Sequence, residues 1–277
     1  MPQRGAHPLS GPGRREAMTF RSRRPWQGVA MVNAPPSLPP ALDPACALFL
    51  DVDGTLVGFA GHPDNVRLQP QVRDWIARIG ERLDGAVALV SGRPLAQLDR
   101  LFAPLRLPAA GLHGAQLRRA GGEQPQAAET AQWLHELHLR AMRFAHAHPG
   151  VLVEAKGQAL ALHWRNAPAA AQAVDAFARA QLPLLPGVRL QPGNHVVELV
   201  SAGHDKGTAV TGLMDVPPFA GRRPVFVGDD LTDEDGFAAA ARLGGYGVLV
   251  GSRAGSQARH VLPDVAAVHA WLRAGAG

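Results

Sequence analysis

Two aspartates, Asp51 and Asp53, stand two residues apart at the end of an apolar run, in the string LFLDVDGTLV (48–57). Carboxylates at this spacing, with Gly54 next to allow a sharp turn, can share one hard cation. Mg²⁺ is satisfied by a few protein oxygens together with phosphate and water. One carboxylate can attack phosphorus while the other handles the proton of the leaving group. The residues alone do not say which of the two attacks. A lone Asp at a strand end is usually just solvated, but the full hydrophobic-D-x-D-G-T-hydrophobic string is far more specific than that.

Three further segments fit the same chemistry. In LVSGRP (89–94) a buried strand ends in Ser91 and Gly92. The serine hydroxyl and the free N–H groups ahead of the next helix suit a phosphate. In GHDKGTAV (203–210) Lys206 opens a helix, where dipole and ammonium together attract an anion. Lysine is scarce: the chain carries 26 arginines but only Lys156 and Lys206. An ammonium retained against that bias marks a site that needs a compact charge. In VFVGDDLTDEDGF (225–237) a buried strand is followed by Asp229, Asp230, Asp233, Glu234 and Asp235. Helix capping accounts for one or two of these acids, but not for a pair at the strand end, where they repel one another without a cation. Asp229 is the expected direct metal ligand. Asp230, counted with the metal set, and Asp233 are expected to orient metal water or Lys206 from behind.

The elements that position these residues alternate. The run 46–52 reads as a buried parallel strand. Residues 69–83 read as a helix with Val72, Trp75, Ile76, Ile79 and Leu83 on one face. A strand over 86–90 and a helix over 94–102 follow. After about residue 111 the texture changes to a helix over 127–148, strands over 151–155 and 159–165 joined by a turn at Gly157, a helix over 168–181 and a strand over 195–200. This reads as an α+β insert. From Lys206 the first pattern resumes, with helices over 206–214, 233–243 and 264–273 and strands over 224–228 and 246–250. The expected fold is α/β, a doubly wound parallel-sheet core (43–110 and 201–277) interrupted by an α+β cap (111–200).

Residues 1–42 are rich in Pro, Arg and Gly and lack periodicity, so they are expected to be disordered. They hold six arginines (Arg4, Arg14, Arg15, Arg21, Arg23, Arg24) and one acid, Glu16, which accounts for the whole net charge of +5. The rest of the chain is balanced, which argues against a nucleic-acid surface on the folded body. The arginine pairs in this segment resemble a twin-arginine export signal, but a Pro-interrupted stretch follows them and not a clean apolar region. No window approaches the roughly 18 apolar residues that span a bilayer. The single cysteine, Cys46, excludes an intramolecular disulfide and suits a reducing cytoplasm.

The four motifs, in this order, resemble those of the haloacid dehalogenase-like phosphohydrolases. The resemblance implies Asp51 as nucleophile and Asp53 as general acid/base. It implies Mg²⁺ held by Asp51, the Asp53 main-chain carbonyl and Asp229, with Ser91 and Lys206 on the transferring phosphoryl group. A narrower likeness comes from the insert. The strings GLHGAQ (111–116), VEAKGQALALHWRNAP (153–168) and GNHVVELV (193–200), with SGR and GDDLTDE, are similar to those of bacterial trehalose-6-phosphate phosphatases. Read by charge pattern alone, Glu154 with Lys156 and His163 with Arg165 form a polar strand face. That face suits sugar hydroxyls, with Trp164 nearby, or ordinary cross-strand ion pairs.

The family likeness adds Arg93, His113, Glu154, Lys156 and Glu198 as sugar or cap–core contacts, alongside Ser91 and Gly92. Two positions depart from the family pattern: Gln116 where an acid often follows His-Gly-Ala, and Asn194 where Lys commonly follows the glycine. The implied activity is hydrolysis of trehalose 6-phosphate through an aspartyl-phosphate. A sucrose- or mannosylglycerate-phosphate type of phosphatase is the alternative. The expected partner is a small sugar phosphate, with no nucleic acid and no membrane, and the chain is expected to act as a monomer.

Overall fold

The computed structural model describes residues 37–58, 66–122, 132–156 and 159–277. Residues 1–36 of the N-terminal extension, the start of the helix expected from 127 and the turn at Gly157 lie outside them.

The apolar runs form the centre of a seven-stranded sheet. Its strands are β1 (Cys46–Leu50), β2 (Val87–Val90), β3 (Ala109–Gly111), β4 (Gln116–Arg118), β9 (Arg223–Gly228), β10 (Tyr246–Val250) and β11 (His260–Leu262), in the spatial order β11-β10-β9-β1-β2-β3-β4. All neighbours are parallel except β3 and β4. Every residue of β1, β2 and β10 is buried, because helices cover both faces. These helices are α1 (Pro70–Arg82), α2 (Leu95–Phe102), α5 (Lys206–Met214), α6 (Asp233–Arg242) and α7 (Val265–Gly275). In α1, Pro70 occupies the first turn, where no N–H is needed, and Val72, Ile76 and Ile79 face the sheet. In α5 the Asp205 carboxylate accepts from Thr208 N–H at 2.6 Å while the Thr208 hydroxyl accepts from Asp205 N–H at 2.9 Å. This capping box fixes where the helix, and with it Lys206, begins.

A second sheet is antiparallel throughout. It comprises β5 (Leu152–Ala155), β6 (Ala159–His163), β7 (Val188–Gly193) and β8 (Val196–Ser201), in the order β5-β6-β8-β7. Helices α3 (Gln132–Ala147) and α4 (Ala171–Gln181) cover one face. There Leu134, Leu137, Leu160, Leu162, Val174, Val197 and Leu199 form an apolar cluster separate from that of the larger sheet. The opposite face carries the polar residues of alternating parity, as period 2 requires.

Two expectations need correction. The sequence starts the insert at 111, but β4 turns back onto β3 with Ala110 opposite Leu117, so residues 109–118 belong to the larger sheet. Arg118 holds them there through paired bonds to Asp99 at 2.7 and 2.8 Å and a bond to the Leu107 carbonyl. Residues 37–42, read as part of a disordered extension, are seated on the fold. Ser37 bridges to His260, the Trp271 indole donates to the Pro40 carbonyl at 3.0 Å, and Leu42 is 5% exposed within the main apolar cluster. Charge and proline pattern dominate that segment, and one buried leucine gives no periodicity to read.

Leu42→Ala removes part of a packed side chain that local structure cannot refill. It should lower unfolding free energy by about 2–4 kcal/mol, measured as a shift in the denaturation midpoint at constant slope. A change below about 0.5 kcal/mol would mean that this segment is not docked.

Candidate active site

Strands β2, β1 and β9 are parallel neighbours, so their carboxyl ends open on one edge of the sheet. The ladder fixes the residues that leave them: Asp51 N–H donates to the Val227 carbonyl and Ser91 N–H to the Ala110 carbonyl, each at 2.9 Å. The start of α5 reaches the same edge. Asp51, Ser91, Lys206 and Asp229, distant in the chain, thereby meet.

The centre is a buried ammonium. Lys206 Nζ donates to Asp51 Oδ1 at 2.8 Å and to Asp233 Oδ1 at 2.6 Å, and all three side chains are nearly inaccessible. Burial alone would discharge Lys206, but Asp233 and Asp51 outweigh it and hold the ammonium charged, above its ordinary range. Carboxylate oxygens of Asp51, Asp229 and Asp233 converge within 4.8 Å of one another. Burial first, then the neighbouring Asp233 and Asp229, push Asp51 well above the usual carboxylate range against the pull of Lys206. Burial and Asp233 raise Asp229 to about 7. Three hard oxygen donors with one lysine between them leave excess negative charge in a dry place. A divalent cation of the Mg²⁺ type fits that donor set.

Glycines make room for these acids. Gly54 has φ +86°, and a Cβ there would lie 2.2 Å from Asp229 Oδ2. The turn after Asp53 therefore admits only a residue without a side chain. The Thr55 hydroxyl donates to Asp229 Oδ1 at 3.3 Å. At the end of β9, Gly228 leaves the space that the Asp233 carboxyl group fills.

Asp53 faces elsewhere. Its carboxylate accepts two bonds from Arg93, from Nε and from one terminal nitrogen, both at 2.6 Å. The Arg93 N–H in turn donates to Ser91 Oγ at 3.1 Å. Gly92 lies against the His113 ring, 2.7 Å from Nε2 to the position a Cβ would take.

Glu154 and Glu198 share a row across the second sheet, since both lie opposite Ala161. His113 Nε2 meets Glu198 Oε2 at 2.5 Å, joining a residue that follows β3 to one on β8. Lys156 donates to Glu198 Oε1 at 2.5 Å and lies 3.7 Å from Glu154, which also bonds His163 at 3.0 Å. Burial would raise Glu198, yet Lys156 and His113 hold it far below the usual carboxylate range. Burial is likewise outweighed at Glu154, by His163 and Lys156. A cleft separates this row from the Asp51 edge. It is lined from one side by Asp51, Asp53, Ser91, Arg93 and Lys206 and from the other by Glu154, Lys156, His163, Arg165 and Glu198.

The structure thus gathers the sequence-predicted residues around one cleft, with differences of detail. Asp233, not Asp230, joins the converging carboxylates. Asp230 Oδ1 accepts from Leu231 N–H at 2.7 Å, and its other oxygen faces Gly193 of the β7–β8 hairpin. The Asp53 carboxylate is also outside that group, turned to Arg93. Trp164 packs on the apolar cluster of the second sheet and not in the cleft. Gln116 accepts from Leu95 N–H at 2.9 Å and so caps α2, whereas Asn194 does line the cleft. Sequence reasoning missed Arg253, which holds the loop after β9; no motif surrounds it.

Comparison with known proteins identifies the family and the fold. The trehalose-phosphatase family model matches residues 49–263. The trehalose-6-phosphate phosphatase of Escherichia coli K12 is 40% identical over 233 residues, 84% of this chain and 87% of its own. A probable trehalose-phosphate phosphatase of Sinorhizobium fredii is 41% identical over 206 residues, 74% of this chain and 77% of its own. Among solved structures, the C-terminal domain of a C. albicans trehalose-6-phosphate phosphatase superposes with a TM-score of 0.74 at 20% identity, covering 87% of this chain and 99% of that one. A Bacteroides thetaiotaomicron phosphatase of the haloalkanoate (HAD) superfamily shares the fold at a TM-score of 0.56 and 15% identity, covering 81% and 91%. With a family model spanning most of its length and relatives at this identity, the chain belongs to the trehalose-phosphatase family.

Proposed function

We propose that this enzyme hydrolyses trehalose 6-phosphate to trehalose and inorganic phosphate, as a step of trehalose biosynthesis, through a phosphorylated Asp51. The observation that carries the reading is the buried Lys206 bridging Asp51 and Asp233, beside Asp229 and across a cleft from a row of ionised polar side chains.

In the first step an Asp51 carboxylate oxygen forms a bond to phosphorus as the ester bond to the sugar oxygen breaks. Asp53 gives its proton to that leaving oxygen. In the second step water attacks the same phosphorus, Asp53 takes the water proton, and the bond to Asp51 breaks to release phosphate. Ser91 and Lys206 bind the phosphoryl oxygens and oppose their developing charge. Arg93 bonds both Asp53 carboxylate oxygens and holds that side chain where it lines the cleft. Mg²⁺ would be held by the Asp51 and Asp229 carboxylates and the Asp53 main-chain carbonyl, with Asp233 behind them, and would supply charge neutralisation for the phosphoryl oxygens.

On the far wall, Glu154, Lys156, Glu198 and His113 offer acceptors and donors to sugar hydroxyls. Their mutual bonds hold these side chains in place before substrate arrives and keep Glu154, Lys156 and Glu198 ionised. The insert is proposed as the cap that excludes water during transfer. Among the described residues no helix is long and apolar enough to cross a membrane. A cytoplasmic location and a monomeric state belong to this reading as expectations from the sequence.

Phosphate release should be at least about 100-fold faster in kcat/KM with trehalose 6-phosphate than with glucose 6-phosphate, since the second sugar ring adds hydroxyls for the far wall to bind. A sucrose or mannosylglycerate phosphate preferred over trehalose 6-phosphate in the same panel would replace the substrate while leaving the chemistry.

Asp51→Asn should lower turnover by at least about 10⁴-fold, as removal of a catalytic nucleophile does, with the far-UV spectrum unchanged. Chelation of divalent ions should stop the wild-type enzyme, and added Mg²⁺ should restore it. Sustained turnover in chelator, or by Asp51→Asn, would exclude this mechanism.

A further inference from the structure

Arg253 sits on the loop after β10, outside every motif read from the sequence. Its guanidinium reaches the loop that follows β9. Nη1 donates to the Asp229 carbonyl at 2.7 Å and Nη2 to the Asp230 carbonyl at 3.2 Å. Nη2 also pairs with the Glu234 carboxylate, whose other oxygen accepts from Gln257 N–H at 2.7 Å. These groups are largely screened from water, with Arg253 and Glu234 side chains 23% and 19% exposed.

The geometry matters because the sheet no longer holds this stretch. Pairing of β9 with β10 ends at Gly228 opposite Leu249, so the next carbonyls have no ladder partner. The peptide between Asp229 and Asp230 is pinned at both edges instead. Arg253 holds its oxygen, and Asp233 Oδ2 accepts from its N–H, the Asp230 N–H, at 2.8 Å. Asp233 Oδ1 accepts from Lys206, and Lys206 from its side donates to Asp51. A single peptide plane thus links Arg253 to the converging acids. Free to rotate about its flanking bonds, that plane would swing the Asp229 carboxylate and loosen Asp233 together.

We propose that Arg253 is a positioning residue for the divalent cation: it sets the peptide that aims Asp229 and Asp233, and Glu234 holds Arg253 in place. The inference rests on the cation reading given above. Partners that orient ligands from outside typically change metal affinity by about 10–100-fold. A planar fork is required to meet two carbonyls and a carboxylate at once, and an ammonium is not a substitute.

The test is calorimetric Mg²⁺ titration of the full chain without substrate, beside the unfolding temperature in chelator. The wild-type chain is compared with Arg253→Gln, Arg253→Lys and Glu234→Gln. Mg²⁺ affinity should fall by about 10–100-fold in Arg253→Gln, less in Arg253→Lys and in Glu234→Gln. Arg253→Lys keeps the charge and much of the packing, so it still reports if Arg253→Gln folds poorly. Unchanged Mg²⁺ affinity with a lowered unfolding temperature in chelator would mean that Arg253 is merely structural, and would overturn the inference. Absence of Mg²⁺ binding by the wild-type chain would instead sink the cation reading itself, and this inference with it.

Discussion

A buried ammonium between two buried carboxylates is the constraint around which the rest is arranged. Charges removed from water are tolerated only when paired and hydrogen-bonded. Lys206 meets that demand only if the start of α5, the end of β1 and the start of α6 arrive at one point. A parallel sheet with helical crossovers delivers such ends together. The details follow from the same demand. A capping box sets the first residue of α5, Gly228 vacates the space Asp233 needs, and the second oxygen of Asp233 is occupied by the Asp230 N–H. Loss of Lys206 would leave two buried carboxylates without the ammonium they share.

The charge at this centre does not balance within the chain. Asp51, Asp229 and Asp233 face a single lysine, and burial with mutual repulsion drives Asp51 and Asp229 toward protonation. A protonated Asp51 is a poor nucleophile, and an anionic phosphate ester would add to the imbalance. The proposed cation resolves both problems with the donors already in place. The opposite wall is balanced differently. There Lys156, with hydrogen bonds from the His113 and His163 rings, holds Glu198 and Glu154 below the usual carboxylate range, so the two carboxylates stay ionised without a metal.

Much of this was legible in the sequence because the informative signals are local. A run of apolar residues ending in D-x-D-G-T fixes a buried strand and the two acids that leave it. The period-2 rule puts Glu154 and Lys156 on one face. Scarcity of lysine drew attention to both ammonium groups. Short strands were not legible: β3 and β4 have three residues each, too few for a period. Strand β7 contains Pro192, which reads as a break and is tolerated because β7 is an edge strand. Contacts between distant segments were also hidden. Arg93 on Asp53, Gln116 on α2 and Arg253 on the Asp229 loop each depend on register and loop course that no short string encodes. Choosing between Asp230 and Asp233 likewise required knowing that the first turn of α6 folds back under the strand end.

In the proposed mechanism Asp51 accepts the phosphoryl moiety while Lys206 and the acids hold their places. Acid quench of the full chain during turnover of trehalose 6-phosphate, followed by peptide mapping in the mass spectrometer, addresses this directly. A phosphoryl group on the peptide carrying Asp51, absent when substrate is omitted, is the predicted result. Undiminished turnover with that peptide unmodified at every quench time, or a phosphoryl group mapped to another side chain, would contradict it.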